Sequence, residues 1–207
     1  MALAAAATDG RTDVVRKLLA DNADANGEPG PGGAIPLLCV AKYDNVLIIK
    51  DLIAAGANVN ASNAAGLTAL HEAANNGHAA SVGALLAARA AVDPADATGC
   101  TPLHAAAARG HAAAVAALIA ARANVLAERD DGATPLYVAV GLFAPGGDEA
   151  HLSPIVRMLL SQGAVADSRT LLRAVACNRR EAEQQLRDAG AVATDEAVSE
   201  AGREWRR

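Results

Sequence analysis

Four seven-residue strings, Ile35-Pro-Leu-Leu-Cys-Val-Ala41, Thr68-Ala-Leu-His-Glu-Ala-Ala74, Thr101-Pro-Leu-His-Ala-Ala-Ala107 and Thr134-Pro-Leu-Tyr-Val-Ala-Val140, begin 33 residues apart. A second marker keeps nearly the same step: paired large apolar residues recur at Leu18/Leu19, Leu52/Ile53, Leu85/Leu86 and Leu118/Ile119. Two markers in phase describe a chain of stacked units, each too small to bury its apolar face alone. Composition points the same way. The chain is 52% hydrophobic but only 2% aromatic, and 55 of its 207 residues are alanine. An alanine buries far less area than leucine or phenylalanine, at about 25 cal/mol per Å². Cohesion must therefore come from close backbone approach and many small contacts in a thin, elongated body, and one large aromatic core is excluded.

Each unit reads as a short helix pair. Thr101 is a favourable N-cap, Pro102 fills the first helical position where its missing N–H costs nothing, and His104 at the third position can reach back to the cap. The first helix is predicted over 102–109 and stops at Gly110. A second, over about 112–121, carries Val115, Leu118 and Ile119 at helical spacing. The segment from Ala123 to Ala133, with Asp130, Asp131 and Gly132 before the next cap, supplies turn chemistry for a hairpin-like finger. Ala105, Ala106 and Ala107 let the helices and the neighbouring unit approach closely.

The Thr-Pro-Leu-His-x-Ala helix start within a 33-residue unit resembles the ankyrin repeat. The resemblance covers most of the chain and implies an all-α solenoid of about six helix-pair units with short hairpin fingers. As a single domain over 1–207 it divides into an N-terminal half unit (1–32), repeats at 33–65, 66–98, 99–131 and 132–166, and a degraded unit with a cap (167–207).

The pattern breaks in four places. Gly27-Glu-Pro-Gly-Pro-Gly-Gly33 is rich in Pro and Gly, lacks the Gly-Lys-Ser/Thr of a phosphate loop, and reads as a turn. The step from Leu118 to Leu159 is 41 residues, eight more than the repeat. Ser153-Pro154 looks like a fresh cap and first helical position, which places the extra residues at about 144–151, in an exposed loop beside Phe143. Phe143 either folds back on the core or touches a partner. The step from Leu159 to Leu186 is only 27 residues, so the last finger is shortened, and polar residues crowd this unit as a water-facing end requires. A short helix over 195–207 carries Trp205, read as a cap on the last unit.

Chemistry is sparse. The three cysteines, Cys39, Cys100 and Cys177, form neither a close pair nor a disulfide framework, which fits a reducing intracellular compartment, the cytoplasm or an organelle interior. Cys100, near a fingertip, is the thiol expected to be most exposed and reactive, although no nearby residue clearly lowers its pKa. His71-Glu-Ala-Ala-Asn75 approaches a zinc-helix motif, but Asn75 stands where the second ligand belongs. His71, His104, His78 and His111 recur with the repeat and read as structural. No nucleophile elbow, dinucleotide fingerprint or carboxylate pair is present, so neither an enzyme nor a cofactor or metal site is expected. With 18 basic and 23 acidic residues, a net charge of −5 and no basic stripe, nucleic acid is not an expected partner. Apolar runs such as 112–121 fall short of the roughly 20 residues of a membrane span.

The resemblance implies a non-enzymatic scaffold that binds another protein through its concave face and fingers. The positions not needed for capping or stacking are Lys42, Tyr43, Leu67, Glu72, Asn75, Asn76, Arg109, Arg129, Val138 and, in the insertion, Phe143. They are the candidate contact residues. An alternative is a permanent subunit of a larger assembly, since Ala-rich units without aromatics are marginal alone. Family knowledge adds asparagine hydroxylation at Asn60 and Asn26, each eight residues after a leucine. Asp96 and Arg129 share a finger position one step apart and are expected to form an exposed ion pair.

Overall fold

The structure is a computed structural model that describes residues 2–27, 34–141 and 149–193, with residues 149–151 described by their backbone. Its twelve helices run as successive antiparallel pairs: α1 (Ala2–Thr8) with α2 (Thr12–Ala20), α3 (Pro36–Ala41) with α4 (Val46–Ala54), α5 (Ala69–Asn75) with α6 (Ala79–Ala87), α7 (Pro102–Arg109) with α8 (Ala112–Ala120), α9 (Pro135–Gly141) with α10 (Glu149–Ser161), and α11 (Ser168–Ala176) with α12 (Arg180–Asp188). The first helices of the pairs stack on one another from α1 through α11, and the second helices from α2 through α12. The architecture is an all-α repeat fold. No helix among the described residues is long and apolar enough to cross a membrane.

The pairs form where the local chemistry directs. Thr68 and Thr101 cap α5 and α7, and His71 and His104 complete a reciprocal capping box at each. Gly110, at φ +77, closes α7 in the left-handed conformation, which glycine adopts without a Cβ penalty. Gly77 is in the same conformation at φ +74 and is excluded from substitution twice over, because a Cβ there would lie 2.5 Å from Nδ1 of His111 in the next unit. The core is a continuous seam of small and medium side chains. Leu103, Ala106, Ala107, Val115 and Leu118 are wholly buried, so the alanines that the composition offers are the places where helices meet closely.

The fingers are narrow. Asp96 N–H donates to the Cys100 carbonyl (2.9 Å) and Arg129 N–H to that of Ala133 (3.0 Å), closing each tip. Successive fingers are joined by backbone bonds from Ala97 N–H to the Ala65 carbonyl (2.9 Å) and from Asp130 N–H to that of Thr98 (3.1 Å). Side chains repeat the link lower down: Asn26 Oδ1 accepts from Asn58 N–H (2.7 Å), Asn60 Oδ1 from Ala91 N–H (2.8 Å), and the Asp93 carboxylate from Asn124 N–H (3.1 Å). Asn26 and Asn60 are thus part of the finger lattice.

Three expectations need correction. The opening segment, read as a half unit, carries both helices of a pair, with α1 against α3 and α2 against α4. Ser153-Pro154 does not start a helix: α10 begins at Glu149 and carries Pro154 in its interior. Four of the extra residues lengthen the helix upstream, and Ser153 Oγ accepts a hydrogen bond from Gln185 Nε2 of α12 at 2.6 Å. The expected ion pair between Asp96 and Arg129 gives way to contacts within each finger. Arg129 meets Asp131 at 3.4 Å, and Asp96 Oδ1 accepts from Thr98 N–H, Thr98 Oγ1 and Cys100 N–H. The Phe143 loop, the 28–33 turn and the 195–207 segment with Trp205 lie outside the described residues.

Candidate functional site

The groove-facing sides of α5 and α7 and the fingers before α5, α7 and α9 line a depression of about 350 Å³. Its placement follows from the repeat. The fourth and seventh residues after each cap look away from the second helix, so Glu72 and Ala105 at the one offset and Asn75 and Ala108 at the other line the groove, with Leu67, Asp96, Cys100, Arg109 and Arg129 around them. A smaller depression of about 160 Å³ adjoins it, lined in part by Leu38, Cys39, Lys42 and Asn63, and Glu72 borders both. At that boundary Lys42 Nζ meets Glu72 Oε1 at 3.5 Å.

The groove walls are held by two histidines. At His71, Nδ1 accepts from Thr68 N–H (3.2 Å) and lies 3.0 Å from Thr68 Oγ1, while Nε2 faces the Cys100 carbonyl at 2.9 Å. Since a backbone N–H can only donate and a carbonyl only accept, the neutral ring carries its proton on Nε2. His104 repeats this with Thr101 (3.2 Å) and the Ala133 carbonyl (2.9 Å). Each ring therefore ties its own cap to the next unit's finger. Burial is the main cause that pushes both imidazoles below their ordinary value, outweighing the bonded carbonyls, and a second proton on Nδ1 would face an N–H. His78 and His111 make the complementary link, with Nε2 against the Lys42 carbonyl (2.8 Å) and the Asn75 carbonyl (3.1 Å) of the preceding first helix. These interactions engage both imidazole nitrogens of His71 and His104 in the frame.

Of the candidate contact residues, Leu67, Glu72, Asn75, Arg109 and Arg129 line the larger depression and Lys42 the smaller one. Tyr43 is 58% exposed, and Asn76 is exposed at the end of α5, where its side-chain amide donates to the Glu72 carbonyl at 2.8 Å. Val138 is a correction. It is 3% exposed, on α9 packed between α7 and α11; Arg173 of α11 lies over the neighbouring groove position, Gly141, where any Cβ would collide with the guanidinium. Phe143 is outside the described residues. Cys100 is a second correction: it is half-buried like Cys39 and Cys177, and burial first, with the nearby Asp96 carboxylate next, pushes its thiol up, away from the thiolate that reactivity needs.

Sequence reasoning missed Ala105, Ala108 and Asp96. The two alanines share their offsets with Glu72 and Asn75, and column position could have found them where residue polarity could not. Asp96 keeps its charge readily. Although desolvation acts upward, hydrogen bonds from the Thr98 hydroxyl and from Thr98 and Cys100 N–H, with the nearby His71, hold the carboxyl below its usual value. It also missed a clasp on α9. The guanidinium groups of Arg169 and Arg173 both lie over the Tyr137 ring, 4.3 and 4.4 Å from its centroid, and Arg173 Nη1 donates to the Tyr137 hydroxyl at 2.8 Å.

One comparison with known families bears on the repeat fold. The family model described as ankyrin repeats (3 copies) matches residues 1–96 and 84–170. A search of curated proteins found no match. Ankyrin repeats are generally protein–protein interaction modules, and the matched segments cover the greater part of the sequence. The chain belongs to the ankyrin-repeat family.

Proposed function

We propose that the chain is a non-enzymatic scaffold that binds another protein through the groove between its first helices and fingers, with Leu67, Glu72, Asn75, Arg109 and Arg129 in contact and Lys42, Tyr43 and Asn76 at the margin. One observation carries the reading: five positions that capping and stacking leave free converge on a single depression of about 350 Å³, walled by side chains locked in the frame. A preformed site of this kind loses little conformational freedom on binding. The test is capture of a partner from native extract by the whole chain and by two variants. Ala108→Glu, in the groove floor, is expected to abolish capture, and Lys50→Glu, on α4, to leave it intact. Equal capture by all three would contradict the proposal.

The alternative of a permanent subunit is favoured by a different feature. Tyr43, Leu47, Leu126, Val165, Val175 and Val192 are exposed large apolar residues, and side chains of this kind suit a lasting interface where a partner covers them. Sedimentation of the purified chain tests it. A stable, well-folded monomer supports the reversible scaffold, and a chain that folds only with its partner supports the subunit.

A further inference from the structure

We propose that the groove recognises an extended partner segment through a side-chain carboxylate held between Arg109 and Arg129, with a small apolar residue of the same segment seated on Ala105 and Ala108. The inference rests on the groove being the binding surface and assigns the chemistry of what enters it.

The charges that line the groove are not equally available. Glu72 is engaged by Lys42 at 3.5 Å, and Asp96 Oδ1 already accepts three hydrogen bonds from its own turn. A basic segment would have to displace Lys42 or compete with that turn. The cations are less engaged. Arg109 is exposed and forms no ion pair among the described residues. Arg129 has one contact, through Nη2 to the exposed Asp131 at 3.4 Å, while its Nε is buried without a hydrogen-bond partner among the described residues. A planar guanidinium with donors to spare matches a carboxylate better than any other peptide group.

The remaining chemistry narrows the segment further. Ala105 and Ala108, on the same helix as Arg109, line the depression with methyl groups, an apolar patch beside its polar residues. A short aliphatic residue one or two positions from the acidic one fits that patch, where a polar group set on the two methyls would lose its water without gaining a partner from them. With a net charge of −5, the chain as a whole does not attract an acidic partner from a distance. Selection must then act at contact, where the two guanidinium groups are the local exception to the overall sign.

The test pans a random dodecamer library displayed on phage against the full chain and measures the selected peptides by fluorescence anisotropy. The expected winners carry Asp or Glu beside Ala, Val or Leu and lose binding to Ala108→Glu. Replacing their acidic residue by its amide weakens binding about tenfold. Arg109→Ala produces a similar loss, Arg109→Lys a smaller one, and the amide peptide shows little further loss on Arg109→Ala because the same contact is already gone. Arg109 is exposed, so the melting temperature of these variants should match that of the parent chain. Peptides that need the groove but carry no acidic residue, or that ignore Arg109→Ala, overturn the carboxylate assignment and leave the groove reading standing. Peptides indifferent to Ala108→Glu, or no enrichment at all, overturn both.

Discussion

In the units built on α5 to α8, the third residue of the first helix is a histidine that fastens its own cap and the finger of the next unit. In the unit built on α9 the same position is Tyr137, which cannot accept from the cap backbone in that way and instead reaches forward into a cation clasp with Arg169 and Arg173. The first arrangement is neutral, buried and repeated, and it joins each unit to the next through main-chain groups. The second is made once, by long charged side chains that cover the groove face of α9. The difference sets the groove face of α5 and α7, which lines the larger depression, apart from that of α9, where Arg173 lies over Gly141. Histidine staples leave the groove face free, whereas the arginine clasp occupies it.

The largest test of this contrast concerns packing. Leu118 and Leu186 share a repeat position and are both fully buried, but α8 packs on α6, α7 and α10 while α12 packs on α10 and α11. Leu118→Ala is expected to cost about 2–5 kcal/mol of global stability in urea denaturation, and Leu186→Ala distinctly less, as local loosening of the end. Equal losses would remove the distinction between interior and end units.

The staples come next. His104→Ala leaves Thr101 N–H and the Ala133 carbonyl without their partner and is expected to cost about 1–3 kcal/mol. Tyr137→Phe removes only the hydroxyl bond to Arg173 and keeps the ring against both guanidinium groups, for about 0.5–1.5 kcal/mol. Calorimetric melts of both variants decide whether the neutral staple is the stronger link.

A pH titration of stability sharpens the same point. His71, His104 and His111 are held below the ordinary imidazole value of 6.5, in each case chiefly by burial. The unfolded chain therefore binds more protons in the window below 6.5, so the stabilisation is complete above that pH and is lost as the pH falls through the window. His71→Gln with His104→Gln should flatten the slope. Asp96, held below 3.8, adds a separate loss at still lower pH. The smallest effect expected is at Arg122, which adopts φ +66 where the later units have Gly163 and Gly190. Arg122→Gly should stabilise by up to about 1 kcal/mol, since relief of the left-handed strain is partly offset by chain entropy.

How much of this was legible in the sequence follows the same division. Thr101-Pro-Leu-His states its structure locally: cap, first helical turn and reach-back are all within four residues, and the helix observed over Pro102–Arg109 is the one the string predicts. The groove residues Glu72 and Asn75 were likewise readable from their offset after Thr68. Val138 was not, because it stands at Glu72's offset yet is buried on α9, which packs against α11 of a unit that the shortened 27-residue step puts out of register. Ser153-Pro154 misled for the opposite reason. The dipeptide is a sound local cap, but α10 extends upstream of it and the hydroxyl is used by Gln185. Asp96 and Arg129 matched in repeat position, yet their own turns offered nearer partners than each other.

Amide hydrogen exchange across the whole chain tests most directly the claim that the histidine-stapled units form the rigid walls of the groove. The account predicts that the slowest exchange falls in α5 to α8, that α11 and α12 exchange through openings of lower free energy, and that His71→Gln with His104→Gln lowers protection in α5 and α7 first. Uniform protection from α1 to α12, or a most protected region in α9 to α12, would contradict it.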